Sequence, residues 1–129
     1  MFANVLVTVG TTEFDELIDV VSSKAFCQSL VSKGCQLLTL QIGRGRRTPE
    51  EVQQAVDASG LSCTCFRYCA TLEPLMKDAT LIISHAGAGS IIESLNTPSK
   101  PYLVVVNDSL MGNHQLELAR AMSSRGWRD

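Results

Sequence analysis

What this chain lacks narrows it first. It has no basic excess: 11 Lys and Arg stand against 13 Asp and Glu, a formal charge of −2, whereas a nucleic-acid-binding domain ordinarily carries a strong positive surplus. No apolar run reaches the roughly 18 residues that a membrane-spanning helix requires. The apolar stretch from Phe2 to Val9 is too short for a secretory leader and follows no basic segment, so no signal peptide is expected. Any membrane attachment is then expected to come through a partner. The cysteines do not come in pairs: there are five, Cys27, Cys35, Cys63, Cys65 and Cys69, which reads as reduced thiols of a cytosolic protein. Cys63-Thr64-Cys65 puts two thiols on one face of a strand, but no fourth ligand follows at a zinc spacing, so no metal site is expected. In that setting the sequon Asn107-Asp108-Ser109 carries no meaning. Repeats, linkers and low-complexity segments are missing too.

What remains is an ordinary globular composition, 45% apolar and 19% charged over 129 residues. That length fits one domain, which buries roughly two-thirds of its unfolded surface. Val5 to Val9 is a short β-branched run ended by Gly10 and reads as a buried strand. Phe14, Leu17, Ile18 and Val21 follow at helical spacing. Thr12 and Asp15 resemble a capping box, which predicts one helix from there to about Lys33, stopped by Gly34. Gln36 to Ile42 is a second strand. Thr48-Pro49-Glu50-Glu51 is a helix start, with a hydroxyl cap, Pro at the first helical position and acids in the first turn; Val52, Ala55 and Val56 give that helix its apolar face. Leu61 to Tyr68 is a third strand. Thr71 to Lys77 is a short helix with Leu72, Leu75 and Met76 on one side. Thr80 to Ser84 is a fourth strand, continuously apolar as expected of one covered on both faces. A helix from about Ser90 to Leu95, a strand from Pro101 to Val106 and a helix from Asn113 to Arg125 complete the pattern. Strict β-α alternation predicts an α/β fold: a Rossmann-like open parallel sheet of about five strands, with helices on both faces and right-handed crossovers.

Ligands of such sheets bind beyond the carboxyl ends of the strands. Four loops lie there: Gly10-Thr11-Thr12, Gly43-Arg44-Gly45, His85 to Ser90, and Asn107 to Gln115. In Ser84-His85-Ala86-Gly87-Ala88-Gly89-Ser90, glycines permit close backbone approach and Ser90 opens a helix, whose free N–H groups and dipole form an anion site. A tight turn with no ligand is the competing reading. It is not a dinucleotide fingerprint, because Ile92 stands where the third glycine belongs and the turn follows the fourth strand. No Gly-Lys-Ser/Thr follows, so it is not a P-loop. Glu93 fits two roles, a capping box with Ser90 and a grip on a ribose diol. His114 and Gln115 fit a cap, solvent or a ligand. Arg44, Arg46 and Arg47 fit a solvated loop or an attractor of phosphate or anionic lipid.

Taken together, His85-x-Gly87-x-x-Ser90-x-x-Glu93, Pro101 and Asn113-His114-Gln115 are similar to the donor-site signature in the C-terminal half of GT-B glycosyltransferases that use UDP-sugars. Val7 to Thr12, Gln41 to Gly45, Ile83 to Ser90 and Asn113 to Ala119 resemble, in order, the small catalytic subunit family of the eukaryotic UDP-N-acetylglucosamine transferase of lipid-linked oligosaccharide synthesis. The bacterial peptidoglycan GlcNAc transferase is a single-chain relative. The resemblance implies one nucleotide-sugar-binding domain over residues 1–129, equivalent to the C-terminal half of a GT-B fold. It also implies a heterodimer with a membrane-anchored subunit that supplies the acceptor site, on the cytosolic face of the endoplasmic reticulum. The implied reaction is inverting transfer of a second GlcNAc from UDP-GlcNAc to GlcNAc-diphosphodolichol, with no cofactor and no metal; no Asp-x-Asp motif is present.

By resemblance, His85, Gly87, Ala88, Gly89 and Ser90 hold the diphosphate and Glu93 the ribose, while Asn113, His114 and Gln115 contact the sugar. Gly10, Thr11, Thr12, Gly43 and Arg44 face the cleft, and the general base is expected from the partner. The family continues past the last helix with another strand and helices that help dock the partner, where this chain ends at Asp129. A shortened domain is therefore expected, and a non-catalytic nucleotide-sugar-binding or regulatory variant is the alternative.

Overall fold

The computed structural model describes residues 3–10 and 13–85, together with the backbone of 102–105. Strand β1 (Asn4–Thr8) leads into two helices, α1 (Asp15–Val21) and α2 (Lys24–Ser32). Then follow β2 (Leu37–Gln41), α3 (Pro49–Ala58), β3 (Ser62–Phe66), α4 (Glu73–Asp78), β4 (Leu81–His85) and β5 (Tyr102–Val105). The helices expected after Ser90 and Asn113 lie outside the described residues.

All four strand pairings are parallel, in the order β3-β2-β1-β4-β5. The expected Rossmann-like parallel sheet is present. The chain first steps outward from β1 to β2 to β3, then returns to the other side of β1 through β4. Residues of alternating parity along β1 separate two cores. Val5, Val7 and Val9 join Leu38, Leu40, Leu81 and Ile83 under α1, α2 and α3. Leu6 and Ile82 face the other way, against Met76 and Ala79, with Leu72 and Leu75 partly buried beside them. Burial of each such aliphatic side chain contributes about 1.5–3 kcal/mol, so β1 and β4, apolar on both faces, anchor both layers.

The predicted single helix is two. Ser22 Oγ donates to the Ile18 carbonyl (2.7 Å) and Ser23 Oγ to that of Val20 (2.7 Å). Ser23 is extended and its hydroxyl accepts from the Phe26 amide (3.2 Å), capping α2. Paired serine hydroxyls offer the backbone partners that compete with a continuous helix. Thr12, half of the expected Thr12–Asp15 capping box, lies outside the described residues; α1 starts at Asp15 with Phe14 at the cap and no side-chain cap bond, and the Asp15 carboxylate accepts from the Arg46 amide. By contrast, Thr48 and Glu51 form a reciprocal capping box at α3, with Pro49 in the first turn. Val52 and Val56 bury beneath α3 while Ala55 stays exposed, narrowing the expected apolar face.

All five cysteines are free thiols. Burial pushes Cys27 and Cys65 up to about 11 and Cys63 to about 12 from the ordinary 9.0. Burial likewise raises Cys35. The unfolded chain therefore releases these protons at lower pH than the folded one. Their contribution to stability is complete below pH 9 and is lost as pH rises toward 11–12. Urea unfolding at a series of pH values should show stability falling above pH 9, and Cys63→Ala should flatten the decline.

Candidate functional site

The carboxyl edge of the sheet is where the strand order reverses. Thr8 of β1 pairs in register with Gln41 on one side and Ser84 on the other. Gly10 and His85 lie just past that row, on the two central strands between which the chain changes direction. A crevice at such a reversal is the place where open parallel sheets bind ligands.

Gly10 adopts φ 67° and Gly43 φ 62°, left-handed values that let the chain turn immediately beyond β1 and β2. Gln41, almost fully buried, fastens the first of these turns. Its Oε1 accepts from the Gly10 amide (2.9 Å) and from the Thr8 hydroxyl. Its Nε2 donates to the carbonyls of Gly10 (2.7 Å) and Arg67 (2.6 Å). Because one side of this amide meets a donor N–H and the other meets two carbonyls, the bonding pattern fixes its orientation.

Arg67, just past β3, fastens the second turn. Its Nη1 donates to the carbonyls of Gly43 and Gly45 (2.9 Å each) and its Nη2 to that of Arg47 (3.1 Å). The Gly43 amide returns a bond to the Arg67 carbonyl (3.1 Å). From the α1 side, the Asp15 carboxylate accepts from the Arg46 amide (3.0 Å). A side chain at Gly45 would press against that same carboxylate. Arg47 pairs with Asp19 at 3.1 Å, both half-exposed, an arrangement worth little by itself. Gly43 is buried and Arg44 exposed.

His85 ends β4, half-buried, its ring edge-on to Phe14 with centroids 5.4 Å apart. Phe14 is fully buried, so this contact positions the imidazole at the rim. Beside Gly10, a small cavity of about 140 Å³ is lined by Gln41, Tyr68, Cys69 and Leu72.

Of the residues expected at the site, the structure gathers Gly10, Gly43, Arg44 and His85 along this edge. Thr11, Thr12, Gly87, Ala88, Gly89, Ser90, Glu93, Asn113, His114 and Gln115 lie outside the described residues. Sequence reasoning missed Gln41 and Arg67, which hold the edge together. The available signal was a polar residue closing the apolar run Leu37-Leu38-Thr39-Leu40.

The family model of the glycosyltransferase family 28 C-terminal domain matches residues 4–129. The chain belongs to this family. Within it, the chain is similar to the UDP-N-acetylglucosamine transferase subunit ALG13 of Homo sapiens, at 45% identity over 122 residues, 95% of this chain and 10% of the relative. It is 34% identical to the subunit of that name from Saccharomyces cerevisiae, covering 94% of this chain and 73% of the relative. A solved NMR structure of ALG13 superposes with a TM-score of 0.61 at 30% identity, over 96% of this chain and 75% of the other. The chain thus spans about a tenth of the length of the human relative. Among the described residues, no helix is long and apolar enough to cross a membrane.

Replacing Arg67 by Lys keeps the charge but not the fork that reaches three carbonyls. Loss of charge-assisted bonds of this kind should cost about 1.5–3 kcal/mol. Thermal unfolding should report the loss, and amide exchange should quicken at Gly43–Arg47 ahead of the rest of the sheet.

Proposed function

We propose that this domain binds UDP-GlcNAc as the catalytic subunit of a two-subunit transferase, adding the second GlcNAc to GlcNAc-diphosphodolichol. The observation that carries this reading is the reversal of strand order between β1 and β4, with Gly10 and His85 at its mouth, in a chain of the glycosyltransferase family 28 C-terminal domain. The similarity to proteins called UDP-N-acetylglucosamine transferase subunits supports the choice of donor and the need for a partner. Residues 1–129 act as one nucleotide-sugar-binding domain. Membrane attachment, on the cytosolic face of the endoplasmic reticulum, comes through a membrane-anchored partner that supplies the acceptor site.

In this reading the diphosphate lies against Gly87, Ala88, Gly89 and Ser90, at the start of the helix expected from Ser90, with His85 at the rim beside it. Glu93 accepts from the ribose hydroxyls. Asn113, His114 and Gln115 meet the sugar, while Thr11, Thr12 and Arg44 face the acceptor half across the cleft. An acceptor hydroxyl attacks the anomeric carbon with inversion as the bond to UDP breaks. The domain's contribution is to stabilise charge on the departing diphosphate through preset N–H donors, each such donor being worth roughly a hundredfold or more in rate. A base from the partner subunit takes the acceptor proton.

UDP-GlcNAc added to the labelled chain should shift the amides of Gly10, His85 and Gly87 to Glu93. Saturation without movement there would remove the donor site from this domain. In the reconstituted complex, Glu93→Ala should raise KM for UDP-GlcNAc roughly ten- to a hundredfold, the value of a charged hydrogen bond. Unchanged kinetics would leave Glu93 with a capping role alone. Donor binding without transfer by the complex would point to the non-catalytic variant.

A further inference from the structure

Gln41 is the least expected residue of the sheet. It is a neutral amide, 3% exposed, at the end of a strand whose other residues are three leucines and Thr39. Its bonds are unusual in where they go. One amide group meets both the N–H and the C=O of a single residue, Gly10, at 2.9 and 2.7 Å. The same nitrogen reaches the Arg67 carbonyl at 2.6 Å, and the Thr8 hydroxyl holds its oxygen from below. The ordinary strand pairing already joins Val9 to Gln41 through the backbone, at 3.2 Å. The side chain therefore is not needed to pair β1 with β2. What it adds is a fixed orientation for the first peptide beyond the pairing, where the left-handed Gly10 would otherwise be free to swing.

We infer that Gln41 is a positioning residue for transfer: it sets the Gly10 peptide at the mouth of the crevice against the reacting centre, and the rate depends on that setting more than donor affinity does. This rests on the donor-site reading above. In that reading the diphosphate and ribose are gripped by residues 87–90 and by Glu93, whereas the Gln41 amide has both its oxygen and its nitrogen engaged by Thr8, Gly10 and Arg67. Loss of the clamp leaves that grip in place and degrades alignment, and misplacement of about 1 Å costs up to about a hundredfold in rate.

Gln41→Met keeps volume and removes every one of these bonds. Val56→Ala, in the core beneath α3 and far from the edge, serves as a variant of comparable instability. In the chain alone, Gln41→Met should speed amide exchange at Gly10–Thr12 about tenfold or more relative to Val56→Ala, as expected for a local opening. In the reconstituted complex it should lower kcat about tenfold or more with KM for UDP-GlcNAc held within about threefold, the pattern of an interaction made in the transition state. Kinetics matching Val56→Ala, or a change confined to KM, overturns the inference. If Gln41→Met does not fold, Thr8→Val, which removes one of the bonds that hold the amide, must show the same pattern in milder form, and its failure to do so is equally decisive. If the wild-type complex transfers no GlcNAc, the donor-site reading falls by itself. Exchange at Gly10–Thr12 then decides the positioning claim, and rates equal to Val56→Ala overturn it.

Discussion

Everything at the carboxyl edge depends on one constraint: β1 must be satisfied on four sides. Its backbone pairs with β2 and β4, and its two faces lie in separate cores. A strand so enclosed cannot shift register without turning an apolar side chain toward the wrong layer or leaving buried peptide groups unpaired. The position of Gly10 is thereby fixed relative to His85 on one side and to Gly43 on the other. The turns can then be trimmed by individual side chains, because the frame they stand on does not move.

That trimming uses polar groups in a place where they are costly to bury unpaired. Gln41 is almost fully buried, and its amide is tolerated there because it is fully bonded. Arg67 spends its guanidinium on main-chain carbonyls rather than on a carboxylate. Both tie loop backbone to strand ends, and neither depends on ionic strength in the way that the exposed Arg47–Asp19 pair does. The edge is consequently held by directed bonds, which suits a surface that has to present fixed geometry to a ligand.

Much of this was legible from residue order alone, and the reasons are local. Val5 to Val9 and Leu81 to Ile83 announce buried strands through unbroken apolar runs. Thr48-Pro49 marks a helix start through chemistry contained within four residues. The family resemblance reads from short motifs of the same kind. The break at Ser22-Ser23 was lost because apolar residues on both sides keep a helical spacing, so only the hydroxyls' choice of partner separates the two helices. The link from Asp15 to the Arg46 amide spans 31 residues, and like the bonds of Gln41 and Arg67 it is invisible in the sequence, because pairwise bonds between distant loops leave no periodic trace.

The strand order also bears on how the chain comes into being. The Asn4 amide bonds to the Thr80 hydroxyl (3.0 Å) and the Thr80 amide to the Asn4 carbonyl (2.7 Å), a closure across 76 residues. During synthesis, β1, β2 and β3 and the layer α1–α3 are available long before β4 is. In that interval β1 is an outer strand with one open edge, and Leu6 has no α4 to cover it. Open apolar edges invite pairing with other chains, and slow long-range pairing prolongs their exposure. The strand destined for the centre of the molecule is thus, for a time, its most vulnerable border, and it remains so until β4 has emerged to pair with it.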